Sequence, residues 1–145
     1  MKMILFVAMA LGLATPAAAE AFCIPANAAT SAGACPKATV VASEPGSTIS
    51  GEKLPRTQNG YANINLKLKI VKVGRCVFPI DRFENAIGSP FGATLTGDDG
   101  PNVLIGIATD KSGGASDGIY GNGGDDTITA TASTALVWGG TGLGI

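Results

Sequence analysis

The sequence contains no histidine, and this absence removes several functions at the outset. A serine hydrolase needs a base to activate its nucleophile, so the G-x-S-x-G match at 114–118, around Ser116, does not predict catalysis. Zinc proteases with the HExxH motif are excluded for the same reason. We therefore predict a protein without enzymatic activity.

Cysteine is also scarce, with three residues and no C-x-x-C pair, so a zinc site is not expected. Eleven mostly small residues separate Cys23 from Cys35. In an exported chain these two residues are the favoured disulfide pair. Cys76 is left over and is either free or paired with another chain.

Long apolar runs are missing except at the N-terminus. There, Lys2 precedes an apolar run at 4–14 and the small residues Ala17–Ala19, which is the pattern of a secretory signal peptide, here residues 1–19. The run is too short to span a bilayer. We predict an exported protein with no membrane span, secreted from the cell or retained in a periplasm.

Positive charge is nearly absent from the C-terminal part. Residues 20–87 contain eight Lys/Arg and five Asp/Glu, whereas residues 88–145 contain one Lys and six Asp. An acidic, glycine-rich segment is unsuited to nucleic acid, so we predict no nucleic-acid partner. The same composition suits a hard cation, which prefers oxygen ligands.

Two regions precede this acidic part. Residues 20–57 are rich in Ala, Pro, Ser, Gly and Thr without a sustained period, and we predict a flexible, cysteine-containing segment. Residues 58–82 contain a β-strand region, because aliphatic residues alternate with Asn and Lys over 62–70.

A nine-residue period organises residues 83–145, of which 88–145 hold 15 glycines. The eighth place of each complete block is always aliphatic, and stacked blocks can bury these residues as a continuous ladder. A six-residue piece, GIATDK at 106–111, interrupts the array. The eighth places are Leu95, Leu104, Ile119, Ile128 and Val137, and the sixth places are Ala93, Asn102, Asp117, Asp126 and Ala135.

The block GNGGDDTIT at 121–129 resembles the hemolysin-type, or RTX, calcium-binding nonapeptide GGxGxDxUx. It matches at Gly121, Gly124, Asp126 and Ile128, with Asn122 in place of the second glycine. The block GDDGPNVLI at 97–105 matches at Gly97, Gly100 and Leu104, with Asn102 in place of the aspartate.

This resemblance implies an all-β protein with a short parallel β-roll, a β-solenoid, over 83–145, preceded by a strand and a loosely ordered N-terminal segment. It also implies that Ca²⁺ lies between turns, held by sixth-place side chains and turn carbonyls. If 106–111 counts as a shortened block, Asn102 and Asp117 share one side, and Asp110 and Asp126 share the other. The implied ligands are Asn102, Asp110, Asp117 and Asp126, with the turn residues Gly97, Gly100, Gly121 and Gly124. We expect one or two weak sites, and calcium-dependent ordering of the array.

Two alternatives remain at this point. The outward seventh and ninth places on one side would form an exposed apolar stripe, which soluble monomers tend to avoid. Either the strand over 62–70 covers this stripe within the same chain, which we favour, or the stripe serves self-association or binds an extracellular surface partner. The stripe would consist of Val103, Ile105, Tyr120, Leu136 and Trp138. The array also stops within a block at Ile145, so the chain could be a truncated fragment of a larger RTX exoprotein.

Overall fold

The computed structural model describes residues 19–30, 33, 35–109, 115–131 and 135–142, with the backbone alone at Gln58. Within these residues the regular structure consists of twelve β-strands and two short 3-10 helices, at Ala26–Ala29 and Gln58–Gly60. The predicted all-β class is therefore confirmed. The strands are β1 (Ala21–Cys23), β2 (Val40–Val41), β3 (Thr48–Ser50), β4 (Ala62–Asn65), β5 (Ile70–Val73), β6 (Cys76–Asp81), β7 (Asn85–Ile87), β8 (Ala93–Thr96), β9 (Val103–Gly106), β10 (Asp117–Tyr120), β11 (Thr127–Ala130) and β12 (Ala135–Trp138).

The strands form two sheets. The five-stranded sheet has the order β1-β3-β7-β9-β11, and all its neighbouring pairs are parallel. The seven-stranded sheet has the order β12-β10-β8-β4-β5-β6-β2. Its order is mixed, because β5 runs antiparallel to β4 and β6 while the other pairs are parallel. From β7 to β12, successive strands alternate between the two sheets.

The eighth-place aliphatic residues form the predicted ladder. Leu95 is in register with Ile119 in the seven-stranded sheet, and Leu104 is in register with Ile128 in the five-stranded sheet. Leu95, Leu104 and Ile119 are fully buried, and each such side chain contributes about 1.5–3 kcal/mol. Val137 continues the row but is 41% exposed, because it lies on the last strand of its sheet.

The described part of residues 20–57 contains more regular structure than its composition predicts. The segment contributes β1 and β3 to the five-stranded sheet and β2 to the edge of the other sheet. Ile24 and Ile49 are fully buried. These strands lack a local period because they are very short, and parallel pairing with distant strands orders them.

The predicted single strand over 62–70 is in fact two strands. The chain leaves β4 after Asn65, whose side-chain Oδ1 accepts a hydrogen bond from the backbone N–H of Leu68 at 2.8 Å. Lys69 then adopts a positive φ of 59°. This turn reverses the chain, so β5 pairs antiparallel with β4.

The predicted Cys23–Cys35 disulfide is wrong. Cys35 is bonded to Cys76, 41 residues further along the chain, and Cys23 is a free, partly buried thiol in β1. Short separation in sequence does not decide the pairing here, because the fold brings Cys35 to the start of β6 and leaves Cys23 in the other sheet.

The hexapeptide 106–111 is an insertion and not a shortened repeat. Gly106 ends β9, residues 107–109 form no strand, and β10 returns to the seven-stranded sheet beside β8. The strand of block 112–120 therefore lies in the seven-stranded sheet, as it would if block 112–120 directly followed block 97–105. Asp110 lies outside the described residues, as do residues 1–18 of the predicted signal peptide 1–19.

Candidate metal centre

Three glycine-rich turns, at 97–102, 121–126 and 139–142, follow one another along one edge of the fold. Backbone hydrogen bonds of 2.6 to 3.2 Å connect each turn to the next. We call this set of three turns the turn edge. The N–H donors and their carbonyl acceptors are Gly123 to Asp98, Thr127 to Asn102, and Thr141 to Asn122.

Asp126 is the most unusual side chain on the turn edge. It is only 3% exposed, and its Oδ1 accepts a hydrogen bond from the backbone N–H of Asn102 at 3.0 Å. Its Oδ2 is buried without a hydrogen-bond partner. Burial raises the pKa of Asp126, the Asn102 N–H opposes this rise, and the charges of Asp98 and Asp125 add to it. A buried carboxylate in this state is costly unless something compensates its charge.

Gly121 brings this carboxylate close to the backbone. A Cβ at Gly121 would lie closer than 3.0 Å to Oδ2 of Asp126 and to the carbonyl oxygen of Gly139. The carboxylate oxygen and the carbonyl oxygen therefore face the same small volume, from which any side chain is excluded. Only glycine fits at position 121.

The preceding turn has the same arrangement. A Cβ at Gly97 would lie 2.5 Å from Oδ1 of Asn102 and 2.5 Å from the carbonyl oxygen of Gly121. Gly124 has a φ of +91°, and a Cβ there would lie 2.6 Å from the carbonyl oxygen of Gly100. The glycines at the first and fourth places thus let successive turns approach each other with their carbonyls converging.

A second buried carboxylate, Asp117, lies on the opposite edge. It is 2% exposed, its Oδ2 accepts a hydrogen bond from the backbone N–H of Ala108 at 3.1 Å, and its Oδ1 has no partner. Burial raises the pKa of Asp117, and the nearby backbone N–H groups of Ala108 and Ala93 oppose the rise. In the sheet register it is flanked by Ala93 and Ala135, so its strand neighbours contribute no further carboxylate.

The predicted grouping of the ligands needs correction. Asn102 lies beside Asp126, not beside Asp117, because the hexapeptide does not count as a repeat. Six of the predicted residues come together on the turn edge, namely Gly97, Gly100, Asn102, Gly121, Gly124 and Asp126. Asp117 lies on the other edge, apart from these six residues, and Asp110 lies outside the described residues.

Side chains alone do not complete a metal site among the described residues. No group of three or more Cys, Asp or Glu side chains there is arranged to hold a metal ion. An ion beside Asp126 would therefore take most of its ligands from backbone carbonyls. Carbonyl and carboxylate oxygens together are a ligand set that Ca²⁺ accepts and that Zn²⁺ does not favour.

The predicted apolar stripe is divided between the two sheets. Val103 and Ile105 lie on β9 of the five-stranded sheet, whereas Tyr120, Leu136 and Trp138 lie on β10 and β12 of the seven-stranded sheet. Trp138 is 63% exposed, and its ring meets that of Tyr120 edge-on at 5.8 Å between centroids. The prediction that these five residues lie on one side is wrong. Like the predicted grouping of the ligands, it assumed that the hexapeptide is a repeat.

Asn122 is a site residue whose role the repeat pattern does not reveal. It adopts a positive φ of 70°, which glycine would adopt readily, and its Nδ2 donates to the carbonyl oxygen of Gly97 at 2.7 Å. The only sequence signal is the replacement of the repeat's second glycine by an amide residue.

Within the part of the chain that the structure describes, no helix is long and apolar enough to cross a membrane. The chain matches no protein-family model, no curated protein and no solved structure.

Proposed function

We propose that the protein is an exported, calcium-binding protein whose C-terminal region is a short β-roll that orders on binding the ion, and that it has no enzymatic activity. The observation that carries this proposal is the buried Oδ2 of Asp126, which has no partner and faces the same volume as the Gly139 carbonyl. A divalent cation in that volume would offset the charge of Asp126 and the repulsion from Asp98 and Asp125.

Calcium is the cation that fits this position best. Ca²⁺ accepts irregular arrangements of carboxylate and carbonyl oxygens, whereas Mg²⁺ demands a near-octahedral shell and gives up its waters reluctantly. Beside Gly121, the turn edge offers the buried carboxylate of Asp126 together with the backbone carbonyl of Gly139. An affinity in the millimolar range is expected, as for other extracellular calcium modules.

Two further observations support the wider proposal. Strands β7–β12 alternate between two sheets and pair in parallel with the next strand but one, and the proposed β-roll requires this connectivity. The Cys35–Cys76 disulfide suits a protein that resides in an oxidising compartment, as the N-terminal signal pattern also indicates. The absence of histidine from the whole sequence argues against the common hydrolytic mechanisms.

Calorimetric titration of the mature chain with calcium tests this function, with magnesium as the competing ion. We expect calcium to bind and to increase the β-sheet signal in far-UV circular dichroism. Asp126→Asn should weaken binding by at least about tenfold, because even groups that only support a metal ligand are worth about 10- to 100-fold.

Asp99→Asn is the matched control for this titration. It removes the same charge from the same edge, but the Asp99 side chain is 78% exposed and forms only a surface ion pair with Lys67. Equal losses in the two variants would indicate a general effect of negative charge and not a site at Asp126. A wild-type protein whose spectrum and heat signal ignore calcium would refute the proposal.

A second candidate function is an interaction through the exposed end of the seven-stranded sheet. Leu136 and Trp138 on its last strand are 52% and 63% exposed, which is unusual for two large apolar residues so close together. Trp138→Ser should then reduce self-association or binding to a surface partner, measured by light scattering. Unaltered oligomer size and thermal stability would leave this surface without a role.

A further inference from the structure

Two asparagine side chains on the turn edge each donate a hydrogen bond to a backbone carbonyl outside their own turn, Asn102 to Glu84 and Asn122 to Gly97. We propose that the carboxamides of Asn102 and Asn122 take the place of a cation at the turn 97–102, so that this turn is ordered without an ion and the turn edge binds a single divalent ion, at Asp126. The inference rests on the proposed calcium binding and assigns which repeats depend on the ion.

The side chain of Asn102 forms three hydrogen bonds. The side chain is buried, and its Nδ2 donates to the carbonyl oxygen of Glu84 at 2.7 Å and to Oδ1 of Asp98 at 3.2 Å. Its Oδ1 accepts from the backbone N–H of Asp98 at 2.9 Å. The amide nitrogen thus presents positive hydrogens to a carbonyl oxygen and a carboxylate oxygen, which is the role a cation would fill.

The side chain of Asn122 connects the second turn, 121–126, to the first turn, 97–102. Its Nδ2 donates to the carbonyl oxygen of Gly97 at 2.7 Å, across 25 residues of chain. This carbonyl belongs to the first place of its repeat, which at the other turns is held by Gly121 and Gly139. The amide therefore occupies a carbonyl that would otherwise be available to an ion.

Comparison of equivalent positions isolates the difference between the turns. The space at Gly97 is closed by Oδ1 of Asn102 and by the first carbonyl of the next turn, and the space at Gly121 is closed in the same way by Oδ2 of Asp126. In the first case the side-chain oxygen accepts a hydrogen bond, whereas in the second it is buried without a partner. Only the second position lacks a positive group, so only the second needs an ion.

Hydrogen exchange measured by mass spectrometry tests the first half of the inference in the wild-type protein. In chelator, peptides covering 97–106 should remain protected while those covering 121–130 exchange at least about tenfold faster than in calcium. Calcium should slow exchange in 121–130 and leave 97–106 unchanged. If both regions lose protection together in chelator, the amides do not order the first turn and the inference fails.

The second half of the inference is that the amides of Asn102 and Asn122 take the place of an ion. It is tested by introducing a carboxylate and a glycine at these two positions, as in the repeat of an ion-binding turn. Asn102→Asp combined with Asn122→Gly replaces the amide donors with a carboxylate and a glycine that tolerates positive φ. We expect the number of calcium ions bound to rise by one relative to wild type. The double variant should also lose thermal stability in chelator and recover it in calcium.

Asn63→Asp is the matched control, because Asn63 is exposed on β4 and the change adds one carboxylate away from the turn edge. It should alter neither the ion count nor the dependence of stability on calcium. A wild type that binds no calcium would overturn the proposed function. A wild type that binds calcium, together with a double variant whose ion count and calcium dependence are unchanged, would overturn this inference alone.

Discussion

The backbone N–H of Asn102 donates to Oδ1 of Asp126 at 3.0 Å, across 24 residues of chain. One carboxylate oxygen is thereby anchored to the preceding turn, and the other is left buried beside Gly121. The contact connects two repeats through a single side chain. Whatever compensates the charge of Asp126 therefore also holds the turn 121–126 against the turn 97–102.

Gly121→Ala should destabilise the protein and weaken its response to calcium. The new Cβ would clash with Oδ2 of Asp126 and with the Gly139 carbonyl, and overpacking of this kind costs about 1–3 kcal/mol. Urea denaturation with and without calcium measures both effects. The control is Gly118→Ala, where the nearest atom to a Cβ is 3.6 Å away, so its stability should change by less than about 1 kcal/mol. Equal losses in both variants would contradict the close approach at Gly121.

Asp117 should make the ion-free protein more stable as the pH falls from neutral. Burial raises the pKa of Asp117 in the folded state, so over the interval between its unfolded and folded pKa values the folded protein holds a proton that the unfolded chain has lost. This contribution to the free energy of unfolding decreases as the pH rises through that interval, and it is smallest above the folded pKa.

The measurement is chemical denaturation in chelator between neutral pH and pH 4, comparing wild type with Asp117→Asn. The difference between the two curves isolates Asp117 from groups with the opposite trend, such as Asp81, whose pKa is lowered by its hydrogen bond to Lys69. The variant should be the more stable protein at neutral pH, and its advantage should shrink on acidification. A pH-independent difference would show that the carboxylate is not strained by burial.

The eighth-place ladder should be strongest at its centre and weakest at its C-terminal end. Leu104 is fully buried, so Leu104→Ala should cost about 2–5 kcal/mol. Val137 is 41% exposed, so Val137→Ala should cost less than about 1 kcal/mol. Thermal denaturation in saturating calcium ranks the two variants. A large loss at Val137 would mean that another part of the molecule covers this residue.

The disulfide should contribute substantially to stability because it closes a loop of 41 residues. Chain-entropy arguments assign about 4 kcal/mol to a loop of this length. Cys76→Ser should show a loss of this order in denaturant titrations, while Cys23→Ser keeps the bond and should change stability far less. Peptide mapping without reduction checks the pairing directly, and a Cys23–Cys35 peptide would refute it.

The sequence by itself determined the features that repeat. An aliphatic residue at every eighth place requires stacking to be buried, so the all-β class and the ladder through Leu95 and Ile119 follow from a local period. The need for glycine at position 121 was also readable, because a turn that brings carbonyls and a carboxylate together leaves no space for a side chain. The pattern of a single repeat was enough for these conclusions, because each repeat packs against other repeats with the same pattern.

Only the tertiary structure decided which distant residues meet. The six residues 106–111 could form either a shortened repeat or a loop, and their composition does not distinguish the two. The pairing of β10 with β8 decides it, and this pairing places Asn102 and Asp126 on the same side of the fold. The Cys35–Cys76 bond and the ordering of β1 and β3 likewise depend on which strands become neighbours across the sheets. Local patterns fix the shape of one repeat, but long-range pairing sets the position of each irregular segment, because its energy comes from contacts made only after the sheets have formed.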